Sequence, residues 1–434
     1  MCPQTQCLRI LRVEVICGVS DPVLIIGAGV AGMTAAVELA DSGIKTVLVE
    51  RSLTMGGNAL DLYKAFPTDD CFYCFEGNRW RPGIRKCFYR SVMIDQPNID
   101  VRTGSEVVDV SRKPGEFRVR ISASPKYVEP KKCTMCGLCM DLSRAFYLVS
   151  PQCQPQAVLY DPQKADDGAG RAEKECPTKA INLEAEPTEE TIRVSDIVIA
   201  TGYHEMKPID MVEYEYGKTP NVVTQLELAQ MLDPNGKSSG ALIRPSDGVQ
   251  VRHVMMVQCV GSRDERYHPY CSKVCCVFAL KHANIIMHER EGTNVSVVYM
   301  DMRTYDRHER YYRESRQAGV EFIRGRVTRV EPQKNGAIDI TVYDSLLDKY
   351  FKSSVDLLVL SSALEPQVDM TGLMERLGLS SANGFVTAAD QLSENEVIAG
   401  DHLYVCGAAA GPAEVPESAT QARAVVSMIL QSRT

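Results

Sequence analysis

The sequence predicts an α/β protein that has two α/β domains and a cysteine-rich insert. A buried strand, Val23–Ile26, leads into a glycine-rich turn close to the N-terminus. A second series of strands and helices occupies residues 203–365 but lacks such a turn. Between these two units, residues 129–187 carry closely spaced cysteines and interrupt the strand pattern. Strands alternating with helices are typical of α/β domains, and the cysteine-rich stretch is therefore interpreted as an insert.

These patterns divide the chain into a discontinuous first domain, an insert and a second domain. The glycine turn near the N-terminus and the apolar strand Leu403–Val405 near the C-terminus are both assigned to the first domain. The expected segments are 1–20 for an N-terminal extension; 21–128, 188–202 and 366–434 for the first domain; 129–187 for the insert; and 203–365 for the second domain.

Composition and charge exclude several classes of protein. Of the 434 residues, 44% are hydrophobic and 24% are charged, which is typical of a globular chain. A formal net charge of −8 argues against a nucleic-acid partner, which usually requires a basic surface. No apolar run reaches the roughly 18 residues that would cross a bilayer. We therefore expect no direct membrane insertion and a cytoplasmic location.

The glycine turn predicts a dinucleotide site. Gly27 permits a tight turn, Gly29 lets the backbone approach a pyrophosphate, and Gly32 allows close packing of helix and strand. The helix after Gly29 presents its positive N-terminus to the phosphates. A second strand ends at Glu50, where a carboxylate would accept hydrogen bonds from a ribose, and the expected cofactor-binding set includes Arg51.

Three later features favour FAD over NAD as the dinucleotide. Gly56-Gly57 follows Glu50 closely, Ala200-Thr201-Gly202 ends a strand, and a glycine returns at Gly407. This order resembles the flavoproteins with two dinucleotide-binding domains, such as the thioredoxin reductases, and it implies their fold. That family usually has Gly-Asp at the last turn, but this chain has Gly407-Ala408. The contact to the flavin ribitol must therefore come from another residue.

The first cysteine group in the insert has iron–sulfur spacing. Cys133, Cys136 and Cys139 form a C-x2-C-x2-C run, and Cys176 precedes a proline, as in bacterial ferredoxins. Ferredoxins with two clusters repeat this pattern, but the ligand positions of one cluster are lost here, while those of the other are all retained. The lost positions are Ser143, Asp166, Ala169 and Ala172. One 4Fe–4S cluster is therefore expected, with zinc as the alternative.

A second cysteine group lies where a nicotinamide site would be expected. Cys259 follows the strand His253–Gln258, and Cys271, Cys275 and Cys276 lie at the start of the next helix. Only Gly261 remains of the three glycines that a nucleotide-binding turn would contain. Adjacent cysteines suit an irregular iron–sulfur cluster better than tetrahedral zinc, because their side chains diverge. We expect a second 4Fe–4S cluster close to the flavin.

The residues around the second cysteine group resemble the A subunit of heterodisulfide reductase. The resemblance depends on two runs, 258–264 and 270–276, together with residues 131–137, 244–248, 411–412 and 416–419. It extends over roughly residues 22–430 and includes the related A subunit of the quinone-interacting membrane-bound oxidoreductase. It implies FAD, cubane clusters, partner subunits of either kind of complex, and oxidoreductase chemistry linked to disulfides or sulfur compounds. Membrane association through such partners and a homodimer both remain open.

Two weaker features are also candidates for function. Lys281 lies on the same helix as Cys276 and would favour an anionic reduced flavin, but an ordinary solvated lysine explains it equally well. The cysteines Cys71, Cys74 and Cys87 follow the Gly56-Gly57 turn. They could form a third cluster with a borrowed ligand, a redox dithiol or free thiols.

Three functions compete at this point. The leading one is an electron-transfer subunit in which FAD exchanges electrons with iron–sulfur clusters. The second is a stand-alone NAD(P)H-dependent disulfide reductase of the thioredoxin reductase type, against which the missing second glycine motif argues. The third is a zinc-stabilised flavoprotein scaffold, which the adjacent cysteines disfavour.

Overall fold

A computed structural model provides the fold of most of the chain. It describes residues 21–66, 96–113, 116–148, 158–236, 238–388 and 397–433. The helices of these segments, in chain order, are α1 Val30–Asp41, α2 Leu138–Leu142, α3 Asp167–Glu175, α4 Gln225–Leu232, α5 Cys275–Glu289, α6 His308–Gln317, α7 Met370–Leu377 and α8 Val415–Ser432. No helix of the described segments has the length and apolar character needed to traverse a bilayer.

The strands of the same segments form two large sheets and several small ones. In chain order they are β1 Val23–Ile26, β2 Thr46–Glu50, β3 Ile99–Thr103, β4 Ser105–Lys113, β5 Glu116–Ala123, β6 Phe146–Leu148, β7 Val158–Tyr160, β8 Thr188–Val194, β9 Asp196–Ile199, β10 Tyr203–Glu205, β11 Val222–Thr224, β12 His253–Val260, β13 Asn294–Tyr299, β14 Glu321–Pro332, β15 Ile338–Asp344, β16 Lys349–Val355, β17 Leu357–Ser362, β18 Leu364–Pro366, β19 Ser381–Ala382, β20 Phe385–Val386, β21 Ile398–Gly400 and β22 Leu403–Val405.

The first large sheet contains the predicted βαβ unit. Its strand order is β21-β22-β9-β1-β2-β3, and β1 pairs in parallel with both β2 and β9. Side chains of β1 alternate between the two faces: Ile25 packs in the cluster with α1 and α8, while Leu24 packs toward β4, β5 and β8. Both faces are therefore covered, which explains why β1 is apolar throughout.

One strand predicted in the first domain differs from the structure in extent. The stretch Thr191–Ile199, expected as one strand, is divided into β8 and β9. The break lies at Ser195, whose N–H bonds Pro22, while Asp196 is buried and paired with His402. Because β8 pairs with β5 and β9 with β1, the break lets one run of residues serve two sheets.

The second large sheet has the order β11-β17-β12-β13-β14-β15-β16. Its parallel strands contain the segments predicted from apolar runs, although the run Val355–Leu360 is split between β16 and β17. The sequence analysis missed the antiparallel strands β14 to β16. Their alternating polar residues are typical of a half-exposed sheet, so they lack the continuous apolar signal of buried parallel strands.

Smaller elements connect these units. Strands β10 and β18 pair antiparallel where the chain enters and leaves the second sheet, with Tyr203 opposite Pro366 and Glu205 opposite Leu364. The insert contains α2, α3 and the hairpin β6–β7, which share a small apolar cluster around Phe146 and Ala172. The ends of β1, β2 and β17 all reach one large cavity.

Candidate functional site

A large cavity lies between the two sheets and has walls from both domains. Its volume is about 1460 Å³, beyond the roughly 300–1,000 Å³ of ordinary small-molecule pockets. The lining includes Gly27, Gly29 and Glu50 of the first domain and Cys275 and Tyr311 of the second. A space of this volume suits a ligand as large as a dinucleotide.

The three glycines at the start of this cavity differ in what surrounds them. Gly27 has φ +105°, and a side chain there would collide with the backbone of Ala200. A side chain at Gly32 would collide with the carbonyl of Gly27, so helix α1 and the turn touch directly. At Gly29 no atom lies within 4 Å of the position that a Cβ would occupy. Gly29 also forms the N-cap of α1, so open space lies at a helix N-terminus.

Glu50 connects the end of β2 to this turn. Its Oε2 accepts a 2.7 Å hydrogen bond from the N–H of Ala28, and its Oε1 accepts 2.8 Å bonds from the N–H and hydroxyl of Ser52. Next to it, Arg51 forms an ion pair with Asp369 and donates a 3.0 Å bond to Gln367. All of these side chains line the cavity except that of Ala28.

The remaining predicted cofactor residues also line this cavity. Gly56, with φ +125°, donates a 2.8 Å bond to the carbonyl of Ala28, and a side chain at Gly57 would crowd Gly29. Gly407 has φ +67°, and its N–H bonds Gln421 at 2.8 Å. The lining also includes Ala200, Thr201 and Gly202. The cavity wall beyond Ala408 includes the carboxylate of Glu414, which the sequence analysis did not consider.

In the insert, Cys133, Cys136, Cys139 and Cys176 line one small concave site. The N–H of Met135 lies 3.4 Å from Cys133 Sγ, and Cys176 Sγ accepts a 3.3 Å bond from the backbone N–H of Ala180. Burial opposes ionisation of Cys176, but its hydrogen bonds outweigh burial and lower the pKa of the thiol. Backbone N–H groups directed at sulfur stabilise thiolates, which cluster ligation requires.

Four thiols in one site could bind a cubane cluster or a single zinc ion. A single zinc ion needs its thiolates about 2.3 Å away from one centre. Within the described segments, no group of three or more His, Cys, Asp or Glu side chains is arranged to hold a metal ion. A cubane binds each thiolate through a different iron, so its ligands lie farther apart. The four thiols fit a cubane in number and in their shared site.

In the insert, the four positions that lack a cysteine ligand contribute to helix capping and packing instead. Ser143 accepts a bond from Ala145, and Asp166 caps α3 by accepting a bond from Gly168. Ala169 and Ala172 are buried in the apolar cluster of the insert. A side chain at Gly168 would collide with the last carbonyl of α2, so α2 and α3 are in contact at this point. Packing and helix capping therefore occupy the positions where the ligands of a second cluster would stand.

The second cysteine group lies where β12 meets α5. The thiol of Cys275 interacts with those of Cys259 and Cys276, and these interactions raise its pKa well above the usual value. All three are free thiols, and Cys259 adopts φ +60°. The interaction with Cys275, assisted by Arg263, lowers the pKa of Cys259 to about 7. Cys271 lies in the preceding loop, where its Sγ accepts a 3.3 Å bond from the N–H of Lys273.

This group adjoins the large cavity through Cys275, which is part of the cavity wall.

The turn after β12 has no room for a phosphate group. The sulfur of Met206 occupies the place where a side chain at Gly261 would lie, whereas the corresponding place at Gly29 is open. Lys273 forms an ion pair with Glu417 at the start of α8, so the cysteine loop is attached to the first domain.

Lys281 is buried rather than solvated. Its side chain is 3% exposed and lines the cavity, and its Nζ donates to the carbonyls of Leu62 and Lys64. The interpretation as a solvated helix lysine is therefore wrong, and a role toward the flavin stays a prediction. The sequence offered no signal for this burial, because the partners are backbone carbonyls more than 200 residues away.

Some expected features change or cannot be placed. The basic residues of the stretch 303–310 predict one charged helix face, but α6 begins only at His308, and both Arg307 and His308 line the cavity. Cys71, Cys74 and Cys87 lie outside the described residues, as does Cys153. Cys406, expected in the core, is fully buried, and burial raises the pKa of its thiol to about 12.

Comparison with known proteins identifies close sequence relatives. Residues 22–356 match the family model described as FAD dependent oxidoreductase. The chain is 34% identical over 438 residues to the A subunit of the H(2):CoB-CoM heterodisulfide,ferredoxin reductase of Methanothermobacter marburgensis, covering 95% of this chain and 64% of that protein. It is 36% identical over 427 residues to the iron-sulfur A subunit of the CoB--CoM heterodisulfide reductase of Methanocaldococcus jannaschii, covering 94% and 63%. The chain thus spans less than two thirds of these relatives.

Solved structures show the same fold at low sequence identity. The thioredoxin reductase of Lactococcus lactis aligns with a TM-score of 0.52 and 13% identity, covering 95% of this chain and 98% of that one. The thioredoxin reductase of T. acidophilum aligns with a TM-score of 0.50 and 13% identity, covering 95% and 99%. The expected two-domain, thioredoxin reductase-like α/β fold is confirmed.

Proposed function

The chain belongs to the FAD-dependent oxidoreductase family, and from that premise we propose that it is an electron-transfer subunit of a heterodisulfide reductase-like complex. The resemblance to the A subunit of heterodisulfide reductase is confirmed by relatives at 33–36% identity. In this proposal the chain carries FAD and two 4Fe–4S clusters, and electrons pass between them. The complex would serve anaerobic energy metabolism that is linked to sulfur compounds, thiols or quinones.

One contact supports this proposal more than any other. Cys275 lines the large cavity and interacts with Cys259 and Cys276. A cluster on these cysteines and Cys271 would therefore adjoin the flavin cavity directly. The cysteine group of the insert would hold the other cluster, through Cys133, Cys136, Cys139 and Cys176. A third cluster, on cysteines outside the described residues, remains open.

The flavin would supply the ability to accept an electron pair and release it one electron at a time. The chain's own residues set the conditions for that exchange. Gly29 and the N-terminus of α1 would hold the pyrophosphate, and Glu50 would accept hydrogen bonds from the ribose. Lys281 places a cation in the cavity wall, where it would stabilise a reduced, anionic ring. Burial of Cys275 and Cys276 keeps water away from these two thiols.

The alternative is a stand-alone NAD(P)H-dependent disulfide reductase of the thioredoxin reductase type. Such an enzyme needs a phosphate cradle in its second domain. Met206 fills that place beside Gly261, and Cys259 replaces a glycine of the turn. We therefore propose that electrons reach this chain through partner subunits of the complex rather than from a bound nicotinamide.

Cofactor analysis tests the proposal. The full chain should be purified anaerobically, and its flavin, iron, acid-labile sulfide and zinc measured per chain. We expect one FAD and roughly eight iron and eight sulfide, as two cubanes require. Zinc in place of iron would support the scaffold alternative instead. FAD without iron or zinc, together with rapid oxidation of NADPH, would favour the reductase.

A further inference from the structure

Residues 57–66, here called the strap, run from the glycine turn of the first domain to the helices of the second. The strap begins beside the turn, because Gly56 just before it donates a 2.8 Å hydrogen bond to the carbonyl of Ala28. At its other end, the ring of Phe66 packs edge to face on that of Tyr311 in α6, with 4.8 Å between the ring centroids. The strap therefore reaches from one domain to the other along the cavity.

The two sides of the strap have different surroundings. Most of its residues, among them Asn58 and Leu60, line the cavity. Tyr63 and Lys64 contact the second domain instead. The ring of Tyr63 packs against the apolar cluster around α4, α5 and β12, and Lys64 forms a 2.6 Å ion pair with Glu289 at the end of α5. One side of the strap is thus cavity wall, and the other side is attached to the second domain.

The backbone of the strap turns sharply at Tyr63. This residue has φ +65°, a left-handed conformation that is rare for a bulky aromatic residue. A backbone conformation of this kind persists only where the surrounding contacts enforce it. The shape of the strap therefore depends on its contacts with the second domain.

Lys281 of α5 binds the backbone on either side of Tyr63. Its Nζ donates one hydrogen bond to the carbonyl of Leu62 and another, at 3.0 Å, to the carbonyl of Lys64. The lysine is 3% exposed, and hydrogen bonds from a charged donor are stronger than those between neutral groups. Detachment of the strap would remove two of the acceptors that a buried ammonium group requires. These two bonds therefore stabilise the turn at Tyr63 and its attachment to α5.

We propose that the strap closes one side of the cavity over its dinucleotide and that Lys281 is the positioning residue that keeps it closed. This inference rests on the proposed FAD site. Release of the ligand requires the strap to leave α5, so that the carbonyls of Leu62 and Lys64 exchange the ammonium group for water. Glu289 does not line the cavity, so its ion pair acts on the strap without touching the occupant.

Flavin release and amide hydrogen exchange in the FAD-loaded full chain test the proposal. The fluorescence of released FAD gives its dissociation rate, and mass spectrometry gives the exchange rate of the amides of residues 57–66. In Lys281→Met we expect both rates to rise at least about tenfold, because hydrogen bonds from a charged group are lost. In Glu289→Gln we expect both to rise about twofold to fivefold, because a partly exposed ion pair is lost.

The control is Glu291→Gln, because Glu291 is exposed just beyond α5 and does not line the cavity. It should match the wild type in both rates. Unchanged FAD release in Lys281→Met would overturn the proposal, and so would faster release without faster exchange in the strap, which would indicate a direct contact with the ligand. If Lys281→Met does not fold, Glu289→Gln decides, and rates equal to those of the control would contradict the proposal.

The proposed function fails in a different way. A wild-type chain that binds no FAD would contradict the FAD site itself, whereas a chain that binds FAD with equal release rates in all variants would contradict the strap alone.

Discussion

The backbone N–H of Ala28 donates a 2.7 Å hydrogen bond to Oε2 of Glu50. The acid at the end of β2 thereby holds the turn that follows β1, before any ligand is bound. An ionised carboxylate has about four lone-pair positions, so Glu50 retains capacity for ribose hydroxyls. The glycine turn is therefore a preformed site, and a substitution within it can act on the ligand while the turn stays intact.

Gly29→Val should release the flavin without unfolding the protein. The new side chain would enter open space within the protein but occupy the pyrophosphate's place, since no atom lies within 4 Å of the Cβ position. A steric overlap costs up to about 3 kcal/mol, which corresponds to roughly a hundredfold weaker binding. Titration of the apoprotein with FAD measures this loss. Gly170→Val is the control, because Gly170 is exposed and equally open. A Gly29→Val protein with full yellow colour would refute the assignment.

Cys176→Ala should remove the cluster of the insert or leave it with three irons. Cys176 shares its concave site with three other thiols, and a cubane needs one thiolate for each iron. Iron analysis and electron paramagnetic resonance should show a loss of roughly one to four irons per chain. Cys153→Ala should change neither measurement. Equal losses from both variants would show that Cys176 is not a ligand.

Cys276→Ala should interrupt electron exchange between the flavin and the second cluster. Cys275 cannot replace the missing thiolate, because a cubane takes one thiolate per iron and Cys275 already supplies one. Freeze-quench spectroscopy after photoreduction of the flavin would detect the missing reduced cluster signal, with Cys153→Ala as the comparison. Full transfer in the Cys276→Ala protein would place the second cluster elsewhere.

NADH and NADPH should reduce the isolated chain poorly. Met206 occupies the space above Gly261, so a nicotinamide dinucleotide finds no backbone cradle for its phosphates in the second domain. Anaerobic mixing with NADH, followed at the flavin absorbance, should show slow bleaching that does not saturate. Dithionite is the positive control for a competent flavin. Rapid bleaching that saturates with NADH concentration would support the reductase alternative.

Asp196→Asn should destabilise the first domain in a pH-dependent way. Burial would raise the pKa of Asp196, but hydrogen bonds from Arg433, His402 and Ser195 outweigh burial and lower it. Because the pKa of Asp196 is lower in the folded than in the unfolded protein, its ionised form stabilises the fold. This stabilisation is complete above about pH 4 and is lost as the pH falls through the pKa of the folded state. The substitution should therefore reduce the free energy of unfolding by about 3 kcal/mol at pH 7.

The loss caused by Asp196→Asn should shrink in acid, and chemical denaturation at pH 7 and pH 3.5 measures the difference. Asp401→Asn is the matched control, because Asp401 pairs with Arg112 but its side chain is 75% exposed. An exposed pair contributes less than about 1 kcal/mol. Equal losses at both pH values would show that ionised Asp196 does not contribute this stability.

The sequence predicted the elements whose signal is local. The strand, glycine turn and helix around Gly27 follow from adjacent residues, and β2 ends at Glu50 as predicted. The cysteine spacing predicted that Cys133 and Cys176 share one site, because ferredoxin ligands follow a known order. Whether a cluster occupies that site stays a prediction.

What the sequence could not predict depends on long-range packing. The pairing of Arg51 with Asp369 spans 318 residues, and Lys281 is buried by carbonyls of a distant loop. The closure of the second turn by Met206 arises from the end of β10, which crosses between the domains. No periodicity in the sequence marks such contacts, since each depends on how the two sheets face each other.

The cavity has one wall from each domain, and this has a thermodynamic consequence. An occupant that touches both Gly29 and Tyr311 joins two bodies that are otherwise linked by paired strands and ion pairs such as Lys273–Glu417. Binding of the occupant and docking of the two domains are thermodynamically linked. The free energy that the occupant gains when the domains are docked equals the free energy by which it stabilises their docking. Any contact that holds the two domains together would therefore tighten binding of the occupant from a distance, and any contact that separates them would weaken it.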